Sequence, residues 1–116
     1  MYKIRTHNVI APIGLAQFPS EGYDVNDQHE LPDALLIRSH KLAAEDLNTG
    51  LKAVARAGAG TNNVPVDVCS EKGIVVFNTP GANANSVKEL VITALLLASR
   101  DVFGGIAYVR SLTNVT

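Results

Sequence analysis

Short apolar runs, each bounded by Gly, Pro or Asn, alternate along this chain with short helical patterns. That alternation is the mark of a parallel sheet with crossover helices. Lys3 to His7 reads as a first strand. A short helix or turn follows around Ile13 to Phe18 and ends at Pro19 and Gly22. Tyr23 to Asn26 reads as strand two and Asp33 to Arg38 as strand three. A helix from Ala43 to Thr49 is expected to stop at Gly50, and strand four runs from Lys52 to Arg56. After a glycine-rich loop comes a helix from Pro65 to Lys72. Pro65 suits its first turn, where a missing N–H costs nothing, and Gly73 suits its exit. Ile74 to Asn78 is an unbroken apolar run, which predicts a fifth strand buried on both faces.

The last helix carries a clear start signal. Ser86-Val87-Lys88-Glu89 has the form of a capping box, with Ser86 as N-cap and Glu89 reaching back, just before the apolar run Leu90 to Ala98. Beyond Arg100 the pattern loosens at Gly104-Gly105, and the tail through Thr116 reads as a shorter helix or a fraying end. Together these elements predict an α/β fold: a flavodoxin-like parallel five-stranded sheet in the order 2-1-3-4-5, with a C-terminal crossover helix. In such sheets ligands lie beyond the carboxyl ends of the strands. That rule directs attention to Arg38-Ser39, to the loop from Arg56 to Asn63, and to Asn78 onward.

Composition narrows the function classes. A net charge of −1 over 116 residues offers no basic stripe for a nucleic acid. The single cysteine, Cys69, allows no intrachain disulfide, fits a reducing cytoplasm, and sits in an apolar helical pattern that marks it as a packing residue. The N-terminus shows no signal peptide. The longest apolar run is too short to span a bilayer, which takes about 20 residues, so no membrane is expected. His7, His29 and His40 are scattered without metal-ligand spacing.

The densest chemical signal is RAGAGTNNV, Arg56 to Val64. Gly58 and Gly60 let consecutive backbone N–H groups approach a ligand, and such a turn before a helix favours an anion. Arg56 stands at its entrance, placed for a bidentate hold on a carboxylate or phosphate. Gly58-x-Gly60 resembles half of a dinucleotide fingerprint, but Asn63 occupies the place of the third glycine and no acidic residue ends the next strand. Binding of a cofactor pyrophosphate by this loop is therefore rejected. Arg38, ending an apolar strand beside Ser39, is either a second cationic arm or a solvated charge. The run Asn78 to Ser86 is polar, and its asparagines either donate to an acid or satisfy turn backbone.

The motifs LLIRSH, RAGAGTNNV and NTPGANANS, in this order and at this spacing, resemble the N-terminal part of the D-isomer-specific 2-hydroxyacid dehydrogenases. The resemblance is strongest from Leu35 to Arg100. It implies two lobes with a cleft between them, in which hydride passes from a D-2-hydroxy acid to NAD. By that resemblance Arg38 and Ser39 lie near the substrate's distal, phosphate-bearing end, and Arg56 is a substrate-side cation. The amides of Ala57, Gly58, Ala59 and Gly60 hold the substrate carboxylate, and Asn83 is a cleft residue. Residues 1–80 then correspond to an incomplete substrate-binding lobe. Residues 81–116 correspond to the crossover helix and the start of a nucleotide-binding lobe. The family's catalytic Arg, Glu and His, and its glycine fingerprint, fall further along than these 116 residues. The chain is thus expected to be a fragment, inactive alone, with NAD bound by the missing lobe.

Two other readings need stating. A receiver-like phosphoacceptor module requires acidic residues at the ends of strands one and three, where this chain has His7-Asn8 and Arg38-Ser39. A non-catalytic flavodoxin-like binding or assembly domain is compatible with the stripe Leu90, Leu95, Leu96 and Leu97, which requires cover. That stripe leads to the expectation of a homo-oligomer.

Overall fold

The computed structural model describes residues 1–112 and divides the chain into two compact units, Met1–Ala82 and Asn83–Thr116. The first unit is built on five parallel strands: β1 (Tyr2–His7), β2 (Tyr23–Asn26), β3 (Ala34–Ile37), β4 (Ala53–Arg56) and β5 (Val75–Phe77). Their spatial order is β2-β1-β3-β4-β5, the expected one. Register places Ile4 opposite Ala34, Leu35 opposite Val54, and Val54 opposite Val76.

Because side chains alternate across a strand, Leu35 and Ile37 of β3 and Val54 of β4 project to one face. There they meet Leu42, Leu47 and Leu51 from the β3–β4 connection, with Val64, Cys69 and Ile74. Ile37, Val54 and Cys69 are fully enclosed. Burial pushes the Cys69 thiol above its ordinary range, opposed weakly by Lys72, so it packs as a neutral hydrophobe. Helix α1 (Pro12–Leu15) is one short turn, and α2 (Val66–Glu71) covers the core. Gly73, at φ +70°, closes α2 by donating its N–H to the Ser70 carbonyl, while the N–H of Ile74 donates to that of Cys69. This left-handed exit turn brings Ile74 directly under Cys69.

Three expectations need correction here. The helix over Ala43 to Thr49 shrinks to a 3-10 turn, Ala44–Asp46. The Asp46 carboxylate accepts the N–H of Ala43 at 2.7 Å, and the Asn48 side chain accepts that of Gly50 at 2.8 Å. Side chains that bond their own backbone compete with helix propagation. Strand β5 is not buried on both faces. It is a three-residue edge strand, with Val75 53% and Phe77 58% exposed, and only Val76 turns toward the core.

The third correction concerns the second unit, which consists of α3 (Ala84–Ser99) and α4 (Val102–Ser111). Ser86 lies inside α3 rather than capping it, since the helix begins after Asn83. Glu89 does not reach back to Ser86, because its carboxylate accepts from the Asn85 side chain at 2.9 Å. The i,i+4 partner outcompetes the cap. Asp101 starts α4, its carboxylate accepting the N–H of Gly104. Neither helix contains a buried residue. Among the described residues no single helix is long and apolar enough to cross a membrane. Taken together α3 and α4 have that length and apolarity, but they bend by 55° at their break.

Candidate functional site

All five strands are parallel, so their carboxyl ends gather at one side of the first unit. Three loops meet there, and two asparagines tie them together. Asn8, just past β1, adopts a left-handed φ of 70°, and its side-chain oxygen accepts the N–H groups of both Ser39 and His40, at 3.0 and 2.7 Å. Asn63, 8% exposed, donates its side-chain N–H groups to the carbonyls of His40 at 2.7 Å and Arg38 at 3.3 Å. Its own carbonyl accepts from Leu42. Sequence reasoning missed both as organisers. Their signal was an Asn immediately past a strand and another at the start of a helical pattern.

The glycine loop is held from behind by its carbonyls. The Gly58 carbonyl accepts the N–H of Thr79 at 3.0 Å, and the Ala59 carbonyl accepts the Asn78 side chain at 2.7 Å. The Gly60 carbonyl accepts the Arg56 guanidinium. Asn78 thus satisfies backbone, which resolves its two readings in favour of the turn. Of the four amides expected to hold an anion, two are spent on the protein itself. Ala57 donates to the Ile37 carbonyl at 2.8 Å and Gly58 to that of Arg56 at 2.9 Å. Ala59 and Gly60 donate to no group among the described residues.

Arg56 also differs from its expected posture. Its Nε donates to the Arg38 carbonyl at 3.1 Å, and its Nη1 serves Gly60 and the Asn62 side chain at 3.3 Å. A guanidinium has five N–H groups in a fixed fork, so only Nη2 remains free for a ligand. A bidentate grip is excluded in this arrangement, and Arg56 first serves as the loop's internal brace. This explains the glycine at position 60. A Cβ there would stand 2.8 Å from Nη1 and 3.2 Å from the Asn62 oxygen.

Arg38 is exposed and lines a cleft of about 390 Å³ with Val9, Ile10 and Ala57. Ser39 adjoins it, fixed through its N–H by Asn8. The structure therefore groups Arg38, Ser39, Arg56 and the Ala57–Gly60 loop at the strand ends. Asn83 belongs to the second unit, where its carbonyl accepts the N–H of Val87 at the start of α3. Among the described residues no group of three His, Cys, Asp or Glu side chains is arranged to hold a metal.

A family model described as "D-isomer specific 2-hydroxyacid dehydrogenase, catalytic domain" matches residues 19–114. The chain belongs to that family. Similar members of this dehydrogenase family include a hydroxypyruvate reductase of Thermotoga maritima, 45% identical over 73 residues, which are 60% of this chain and 24% of that protein. A D-3-phosphoglycerate dehydrogenase of Methanocaldococcus jannaschii is 38% identical over 73 residues, 60% of this chain and 14% of that one. The chain therefore spans about a quarter or less of the length of these curated relatives. Among solved structures, an NAD+-bound 3-phosphoglycerate dehydrogenase of Entamoeba histolytica matches at 27% identity with a TM-score of 0.69, covering 83% of this chain and 38% of that one.

Proposed function

We propose that this chain is the acid-holding part of an NAD-dependent dehydrogenase acting on a D-2-hydroxy acid, with 3-phosphoglycerate as substrate. That oxidation is the first step of serine biosynthesis and a cytoplasmic reaction. The observation that carries the reading is the pair of unengaged amides, Ala59 and Gly60, on a loop whose Gly58, Ala59 and Gly60 carbonyls are tied down. Two adjacent unengaged N–H groups with the free Nη2 of Arg56 suit a carboxylate. Arg38, lining an apolar cleft with Ala57, supplies a cation for a second anionic group, which favours a phosphorylated acid over hydroxypyruvate.

The contribution of these residues is positioning and charge neutralisation, which turns a collision into an oriented encounter. NAD supplies the hydride acceptor. The glycine loop does not fit that cofactor, because the side chain of Asn63 is buried in backbone bonds where a third glycine would be required. NAD is assigned to residues outside this chain, and the chain alone is expected to be inactive.

Titration of the 116-residue chain with 3-phosphoglycerate, followed by amide NMR, tests the reading. The Ala59 and Gly60 resonances should move, and Arg38→Gln should weaken 3-phosphoglycerate about tenfold or more while leaving hydroxypyruvate binding unchanged. Saturating acid that leaves both amides unmoved would remove the basis of the proposal. A non-catalytic assembly domain is the second reading, favoured by the largely exposed apolar surface of α3 and α4. A stable oligomer that binds no acid would select it.

A further inference from the structure

A second cavity, of about 470 Å³, is lined by residues from Leu31 and Pro32 before β3 to His7 and His40 at the strand ends, and by none of the glycine loop. Arg5 of β1 projects into it, between Asn26 of β2 and Leu35 of β3 in register. Its Nε is cut off from solvent and has no hydrogen-bond partner. A ligand cannot reach this enclosed Nε, but the Nη groups of Arg5 make no hydrogen bond among the described residues either, so the guanidinium has donors left for an acceptor in the cavity. Two residues on, His7 stacks on His40 with ring centroids 4.3 Å apart and planes 6° from parallel. Burial, then His40 and Arg5, hold the His7 imidazole below its ordinary range. At neutral pH it is therefore an uncharged hydrogen-bonding group.

Glu30 and Glu45 line the same cavity. The ion pairs among the described residues are Lys52–Asp33 and His29–Asp24, so neither glutamate is paired with Arg5, nor does either make a hydrogen bond there. Opposite charges thus line one space without pairing. Asp46 also lines it, with one oxygen committed to the Ala43 amide. A phosphate or a simple carboxylate would gain Arg5 but face three carboxylates, and the repulsion offsets the gain. A ligand with both charges satisfies both kinds of lining group.

We infer that this cavity is a binding site for a zwitterionic α-amino acid with an aliphatic side chain. Its carboxylate accepts from Arg5, its ammonium donates to Glu30 and Glu45, and its side chain lies on Leu31 and Leu35. The site is separate from the glycine loop and stands whether or not the acid-holding reading does.

The test is a calorimetric titration of the 116-residue chain with L-leucine, with 4-methylpentanoate, which lacks the ammonium, and with 3-methylbutylamine, which lacks the carboxylate. L-Leucine should bind about tenfold or more tighter than either. Arg5→Gln should weaken L-leucine by a similar factor. Because Arg5 is in a central strand, a second variant carries the test on exposed residues: Glu30→Gln with Glu45→Gln should weaken L-leucine and tighten 4-methylpentanoate. If 4-methylpentanoate or inorganic phosphate binds as tightly as L-leucine, the cavity is a plain anion site and the inference fails. It fails equally if L-leucine gives no saturable heat up to its solubility limit.

Discussion

The two units use the same kind of residue in opposite ways. In the first, Ile37 and Val54 are sealed by a layer of connecting loop and helix. In the second, Leu90 is 71% exposed, Leu95 65% and Phe103 69%. Both segments read as apolar in the sequence. What differs is the covering layer, since a hydrophobic residue stabilises only through the surface it removes from water. The contrast teaches that the first unit contains its own core, whereas α3 and α4 leave a series of large apolar side chains in solvent, the kind of surface that marks an interaction site.

The largest effect should come from challenging the open side of that contrast. We propose that the chain forms a homo-oligomer through α3 and α4. Light scattering at micromolar concentration should then show a dimer or larger species, and Leu95→Glu should return it to a monomer. A monomeric unaltered chain would break the comparison, leaving the exposed leucines without a role. A smaller effect should separate single truncations. Ile37→Ala should destabilise the first unit by about 2–5 kcal/mol in urea unfolding, whereas Leu95→Ala should shift the stability of a monomeric background by about 0.5 kcal/mol or less. Equal costs would show that the two surfaces are covered alike.

The smallest effect concerns pH. Burial, then His40 and Arg5, hold the folded pKa of His7 below the ordinary imidazole value of 6.5. As pH falls through 6.5 the unfolded chain takes up this proton before the folded one. Stability from the neutral imidazole is therefore present above that value and is lost as pH drops through the lowered folded pKa. His7→Gln should flatten this part of a stability profile measured by urea midpoints. An unchanged slope would show that the sheet face around His7 remains wet.

Much of the fold was legible because its signals are local. Apolar runs ending in Gly, Pro or Asn located the strands, and Gly73 marked the left-handed exit from α2. The readings that failed were also local, and each lost to a competitor invisible at that range. Asp46 and Asn48 diverted a helix into a turn, Asn85 took the carboxylate promised to Ser86, and the edge position of β5 left Val75 and Phe77 in water. At the site, the sequence identified the loop but not its polarity. Which amides are spent, and that Arg56 folds back on Gly60, depends on the β3 exit and on Asn78, 18 and 19 residues from their partners in the chain. Asn8 acts across more than 30 positions, which no periodicity records.

The rear anchoring of the glycine loop has a thermodynamic consequence. Thr79, Asn78 and Arg56 each grip one of its oxygens, so folding itself meets the entropy of ordering this segment. An anion bound there as proposed would meet a backbone already ordered and lose less of its binding free energy to freezing it. Hydrogen exchange in the empty chain should accordingly find a stiff loop carrying two unshielded protons, at Ala59 and Gly60.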